Sequence, residues 1–336
     1  MTASGVAAVF PGQGAQYVGM GGDLAAGFAE AREVFRRASD AAGIDLHRLC
    51  VEGPEDALRQ TANTQPAILT ASLACLATVP VRPACAAGLS LGEYTALVCA
   101  GAVTLEDAVR LVRRRGEYMQ QACDGLDTMM ASVVGLDAER VREVCAAHAH
   151  LGVVEAANFN SPGQVVVGGE TAAVRAVLDA ARSAGARRAV PLAVSAPFHT
   201  RLMAPAAERL AADLERLPIR DASIPVVANV SAAPVRSADE IRRALLAQVA
   251  SPVRWEESVR RMHADGVRIF AEFGPGTALS GMIRRTVGDA AVCHVEDAVS
   301  REEALAVLAA GQGTPAARAA DGPRARRAGR AGETRP

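Results

Sequence analysis

Short unbroken apolar runs alternate along this chain with longer stretches in which apolar residues recur every three to four positions. The first pattern predicts buried strands and the second predicts amphipathic helices. "GVAAVF" (5–10) reads as a buried strand running into the glycine loop "PGQGAQ", and helices follow near 22–42 and 64–79. The small-residue run 83–88 reads as a second strand, with helices after it at about 91–100 and 105–122. This alternation predicts an α/β core.

At "MMASVVGL" (129–136) the rhythm changes to strand, helix ("DAERVREVCAAHA"), strand ("VVEAANF"), strand ("GQVVVGG"), helix (171–184), strand ("RRAVPLAV"). That βαββαβ order predicts a ferredoxin-like subdomain over 126–196. The α/β rhythm then resumes with "IPVVANV" as a strand, helices near 238–249 and 255–264, "VRIFAEFG" as a strand and "TALSGMIRRTV" as a helix. The predicted organisation is a large domain, 1–125 and 197–310, interrupted by a small one. Residues 311–336 are rich in Gly, Pro, Ala and Arg and lack large apolar side chains, so they are expected to form a disordered basic tail.

Composition narrows the classes. The 336 residues are 50% hydrophobic, enough for a sizeable core, and the net charge of −1 points to neither a nucleic-acid nor a membrane partner. All the basic side chains apart from histidine are arginines, a bias read as genomic composition rather than function. The start "MTASGVAAVFPGQG" shows no basic leader before a long apolar run, so a cytoplasmic protein is expected. Seven cysteines are scattered without a C-x-x-C pair and read as buried thiols. His148 and His150 read as helix-end caps rather than metal ligands, and no metal site or cofactor is expected.

Gly88-Leu89-Ser90-Leu91-Gly92 fits G-x-S-x-G, a pattern in which a sharp strand-to-helix turn exposes a nucleophilic serine. The helix predicted after it would put the Ser90 hydroxyl and nearby N–H groups at a helix N-terminus, where developing negative charge is stabilised. A serine nucleophile needs a base. His199 in "VSAPFHTRLMAPA" is the best placed histidine, because the chain there returns from the small domain and would line an interdomain cleft. The competing reading is a packed or capping histidine. "FPGQGAQ" matches no phosphate-binding fingerprint; it reads as a turn able to bring a backbone N–H close to a reacting oxygen. On the helix from Leu105 to Ala122, Arg115 falls at the edge of the apolar stripe while Arg114 faces solvent. An inward arginine needs an anionic partner, either a protein carboxylate or a substrate carboxylate.

Taken in order, "FPGQGAQ", "TQPAILTASLA", "GLSLGEYTALVCAGA", "RRGEYMQ", "ANFNSPGQVVVGG", "APFHTRLMAPA" and "FGPGTALSGMIRR" resemble the malonyl-CoA:acyl carrier protein transacylase family, from about Val9 to about residue 295. The resemblance implies an α/β fold, a hydrolase-like α/β large domain with an inserted ferredoxin-like small subdomain, and an active site between them. It implies Ser90 as nucleophile, His199 as base, oxyanion-hole amides at Gln13 and Leu91, and Arg115 as the grip on the malonyl carboxylate. It further implies that the Gln248 backbone carbonyl orients His199 and that Asn160 lines the pocket. Leu89 stands where many relatives have histidine, whereas Phe198 resembles malonyl-selective members in which a bulky residue crowds an α-methyl branch. The implied reaction moves malonyl from malonyl-CoA to the phosphopantetheine thiol of an acyl carrier protein met in trans by a monomer, for fatty-acid or polyketide synthesis. The rivals are a hydrolase of acyl-carrier thioesters using the same Ser–His dyad and a catalytically silent docking protein.

Overall fold

The computed structural model describes residues 5–194 and 196–312. The first elements are β1 (Val6–Phe10), α1 (Gly22–Gly27), α2 (Ala29–Ala42), α3 (Leu46–Glu52), α4 (Glu55–Arg59), α5 (Thr61–Ala77), β2 (Cys85–Gly88), α6 (Leu91–Cys99) and α7 (Leu105–Gln121). Next come β3 (Thr128–Val134), α8 (Ala138–His148), β4 (Val154–Ser161), β5 (Gln164–Glu170), α9 (Thr171–Ser183) and β6 (Arg188–Leu192). The chain continues through α10 (Ala204–Arg216), β7 (Val226–Val227), β8 (Pro234–Val235), α11 (Ala238–Gln248), α12 (Trp255–Ala264), β9 (Ile269–Phe273), α13 (Ala278–Thr286), β10 (Ala291–Val295) and α14 (Ala298–Gln312).

The large sheet has the order β10-β9-β1-β2-β7-β8, parallel except for the β7–β8 edge. β1 lies at its centre and is buried throughout, which is why it reads as an unbroken apolar run rather than an alternating one. Its Val6, Ala8 and Phe10 pack into the core that includes α2, α5, α6 and α7, while Ala7 and Val9 join Trp255, Val259 and Ile283 on the other face. The small sheet is wholly antiparallel in the order β4-β5-β3-β6, with α8 and α9 packed on it around Val133, Val167 and Val177. This is the ferredoxin-like arrangement, carried on a hydrolase-like α/β domain.

Several local expectations need correction. The helix expected over 22–42 is two helices, because Phe28 takes an extended conformation that ends α1 and caps α2. The strand expected over "IPVVANV" shrinks to Val226–Val227: beyond it Ala228 and Ala232 close a turn, and the Asn229 N–H is committed to the Glu93 carboxylate instead of a ladder. α3, α4, α10, β8, β10 and α14 were not anticipated. α14 runs through Gln312, into the first residues of the stretch read as tail; the rest of that stretch lies outside the described residues.

His148 and His150 each place Nδ1 on a carbonyl of the preceding turn, Val144 and Ala147, as helix-end caps do. The cysteines carry free thiols, and burial pushes those of Cys50, Cys75 and Cys85 up to about 12. Among the described residues no helix is long and apolar enough to cross a membrane.

Candidate active site

Ser90 sits between the end of β2 and the start of α6 with φ 54° and ψ −102°, a left-handed backbone that a serine adopts only under constraint. The flanking glycines permit this turn through space rather than through their own torsions. A Cβ on Gly88 would overlap the Gly92 backbone, and one on Gly92 would overlap the Phe10 carbonyl oxygen. Gly92→Ala is therefore expected to destabilise the fold by ~2–3 kcal/mol or more, through overpacking against rigid backbone; a chemical-denaturation midpoint within error of the wild type would show that the elbow tolerates the methyl group.

His199 also has a positive φ, 63°, and is buried. Its Nδ1 lies 3.0 Å from the Gln248 carbonyl oxygen and its Nε2 lies 2.6 Å from Ser90 Oγ. A carbonyl only accepts, so the proton sits on Nδ1 and the Nε2 lone pair faces the serine hydroxyl. Burial first, and then the Arg115 charge, hold the imidazole at about 4, well below its ordinary range. The imidazole is thus neutral at pH 7, with Nε2 toward the serine hydroxyl.

Arg115 is 2% exposed, deeper than the edge of a helical stripe implied. Its Nη1 donates to Gln65 Oε1 at 2.9 Å; its Nη2 donates to Gln248 Oε1 at 2.9 Å and to Ser90 Oγ at 3.1 Å. The Tyr94 ring centroid lies 5.2 Å from the guanidinium carbon. Among the described residues Arg115 forms no ion pair, so the protein-carboxylate alternative is not realised; Arg114, one residue away, does pair, with Asp213. The buried Arg115 Nε has no hydrogen-bond partner among the described residues. This is a cation supported by neutral oxygens.

A cleft of about 450 Å³ opens between the carboxyl end of the large sheet and the small sheet. It is lined by Gln13, Ser90, Leu91, Arg115, Asn160, Phe198 and His199, together with Met130 and Val166 from the small sheet. Of the candidate site residues implied by the resemblance, Gln248 alone lies outside the lining, directly behind His199. The loop after β1 meets the elbow closely: Leu89 N–H donates to the Phe10 carbonyl, and a side chain at Gly12 would overlap the Leu89 carbonyl. Leu91 is the first residue of α6, so its N–H has no intrahelical acceptor, and neither it nor the Gln13 N–H donates a hydrogen bond among the described residues. Asn160 is buried and its Oδ1 is unpartnered among the described residues.

Three residues of this site escaped sequence reasoning. Asn229 accepts the Ser90 N–H on Oδ1 at 2.6 Å and donates from Nδ2 to the Gly88 carbonyl at 2.7 Å, clamping the elbow. Glu93 is wholly buried; burial, opposed by its hydrogen bonds and by Arg115, raises its carboxyl to about 7. Gln65 anchors Arg115. The available signal was for Asn229, a polar residue at the carboxyl end of an apolar run, where open α/β sheets bind ligands.

Comparison with known proteins gives a consistent result. Residues 8–314 match the model of the acyl transferase domain family. The malonyl CoA-acyl carrier protein transacylase of Haemophilus influenzae is 47% identical over 299 residues, 88% of this chain and 96% of that protein. The crystal structure of an acyl carrier protein S-malonyltransferase from Vibrio cholerae superposes with a TM-score of 0.87 at 43% identity, covering 90% of this chain and all of that one. A malonyl-transacylase solved in complex with a type II polyketide synthase acyl carrier protein gives 0.87 at 44% identity, over 90% and 99% of the two chains.

Proposed function

The chain belongs to the acyl transferase family, its reaction is malonyl transfer from coenzyme A to an acyl carrier protein, and we propose that Ser90 carries the malonyl group between the two as an ester. The observation that carries this reading is Ser90 Oγ held 2.6 Å from the unprotonated His199 Nε2 at the N-terminus of α6.

His199 Nε2 takes the hydroxyl proton as Oγ attacks the thioester carbonyl, and the charge that develops on the carbonyl oxygen is met by the Gln13 and Leu91 N–H groups. Collapse breaks the C–S bond, and the imidazolium returns its proton to the departing coenzyme A thiolate. The carrier's phosphopantetheine thiol then loses its proton to His199 and attacks the ester; Ser90 leaves and regains the proton. The Gln248 carbonyl holds the ring by Nδ1 throughout, favouring the imidazolium as it forms. Arg115 receives the malonyl carboxylate. Asn160 Oδ1 offers an acceptor to an amide N–H of the bound pantetheine arm, and Phe198 crowds an α-methyl branch.

We take the protein to act in the cytoplasm as a monomer that meets its carrier in trans, a partner class supported by the relative solved with its carrier protein. The hydrolase alternative draws no support from the relatives, which are named as transacylases. Intact-protein mass spectrometry after brief exposure to an equal mixture of malonyl-, methylmalonyl- and acetyl-CoA tests the reading. A single malonyl adduct on the Ser90 peptide is expected; free acid accumulating without an adduct would favour the hydrolase.

The depressed His199 value sets the pH dependence. The kcat/KM for acylation reports the free enzyme, so it should stay flat from neutral pH down to about 5 and fall only as His199 takes up a proton near 4. A histidine at its ordinary pKa of about 6.5 would halve the rate at that pH. A midpoint near 6.5 in single-turnover acylation would mean that the imidazole is solvated in the working enzyme.

A further inference from the structure

Glu93 lies in the first turn of α6, and its Oε2 accepts two hydrogen bonds from two other segments: the Asn229 N–H at 2.9 Å and Gln248 Nε2 at 2.8 Å. Each donor residue supports a reacting group. Asn229 clamps the Ser90 elbow through the Ser90 N–H and the Gly88 carbonyl. Gln248 holds His199 with its backbone carbonyl, the Ser90 carbonyl with Nε2, and Arg115 with Oε1. One buried oxygen therefore stands a single residue away from nucleophile, base and carboxylate grip.

We propose that Glu93 is a positioning residue that sets Ser90, His199 and Arg115 in register and, by fixing the direction of the Gln248 amide, supports selection of acyl groups that bear a carboxylate. This rests on the transfer chemistry proposed above. Gln248 Nε2 has two hydrogens and finds two acceptors on one side, Glu93 Oε2 and the Ser90 carbonyl, which turns Oε1 toward the guanidinium. Without the Glu93 acceptor the amide loses one of the two bonds that orient it. A flipped amide would set N–H against N–H at Arg115, leaving donors buried and unpaired. It is the oxygen that matters, more than the charge: a proton carried on Oε1 leaves Oε2 able to accept, so the network tolerates a carboxyl held at about 7.

The test compares Glu93→Met, which keeps length but removes the acceptor, with Glu93→Gln, which can place an amide oxygen where Oε2 was. Single-turnover acylation of the full chain is read with malonyl-CoA and with acetyl-CoA, alongside active-site titration and thermal midpoints. We expect Glu93→Met to lose ~100-fold or more with malonyl-CoA and ~10-fold less than that with acetyl-CoA, in line with the sensitivity of catalysis to sub-ångström misplacement. Glu93→Gln should recover most of the loss. Wild-type kinetics in a folded Met variant, equal losses for both substrates matched by a smaller titrated fraction, or a Gln variant as impaired as Met would each overturn the proposal. If the Met variant does not fold, Glu93→Asp, which draws the acceptor back by one methylene, carries the test: a lowered malonyl-over-acetyl ratio is expected, and an unchanged ratio overturns it. A wild type that forms no malonyl ester would sink the transfer reading itself; an ester in the wild type with unaffected variants would sink this inference alone.

Discussion

Ser90→Ala is expected to form no acyl adduct with any of the three coenzyme A thioesters and to lose acylation by ~10⁴-fold or more, the scale on which serine nucleophiles fail when removed. The change is confined to one oxygen. Alanine keeps the Cβ, so the backbone at φ 54° is no more strained than before, and the Ser90 N–H bond to Asn229 and the carbonyl bond from Gln248 do not involve the side chain. The cleft and Arg115 therefore persist, and malonyl-CoA should still bind when titrated calorimetrically. Chemistry is removed while recognition remains. An adduct that survives in Ser90→Ala, located on another residue by peptide mapping, would overturn the assignment of the nucleophile; retained turnover without an adduct would point to direct transfer.

How much of this site could be read from the sequence depends on what each residue does there. Ser90 and His199, which the structure brings within 2.6 Å of each other, could be singled out because each sits in a specific local setting, a glycine-flanked turn for one and a chain returning between domains for the other. Arg115 was legible because a charge on an apolar stripe breaks the helical pattern. Its partners were not: Gln65 and Glu93 lie within helices α5 and α6, whose neighbouring residues are nearly all buried, and nothing in the spacing separates a polar residue that supports a catalytic group from one that satisfies its own helix. Asn229 was hidden inside a predicted strand, because an apolar run does not show where its backbone leaves the ladder. The interior strands were recovered from their continuous apolar runs. β8, a two-residue edge strand, and β10, half-exposed over much of its length, lack that signature.

Arg115→Ala should lower kcat/KM for malonyl-CoA by ~30- to 1,000-fold, corresponding to ~2–4 kcal/mol for losing one partner of a desolvated charge pair. The direction follows from how the side chain is held. A buried guanidinium is tolerated here by two amide oxygens, a serine hydroxyl and the Tyr94 ring, and Glu93 acts on it through the Gln248 amide and through space, without an ion pair among the described residues. That arrangement stabilises a cation without satisfying it, so an incoming carboxylate finds charge still to be neutralised at the wall of the cleft. An acetyl group brings no such charge and must enter past an unsatisfied cation. Its acylation should therefore fall far less than that of malonyl in the alanine variant, and should rise outright where the vacated space admits it. Arg115→Lys should not restore malonyl preference, since a point charge cannot engage Gln65, Gln248 and a carboxylate together as the planar fork does. Competition between malonyl- and acetyl-CoA in a single reaction, read as the ratio of the two adducts, isolates selectivity from any loss of folded enzyme. If that ratio matched the wild type, Arg115 would be supporting the structure alone and the malonyl carboxylate would have to be held elsewhere in the cleft.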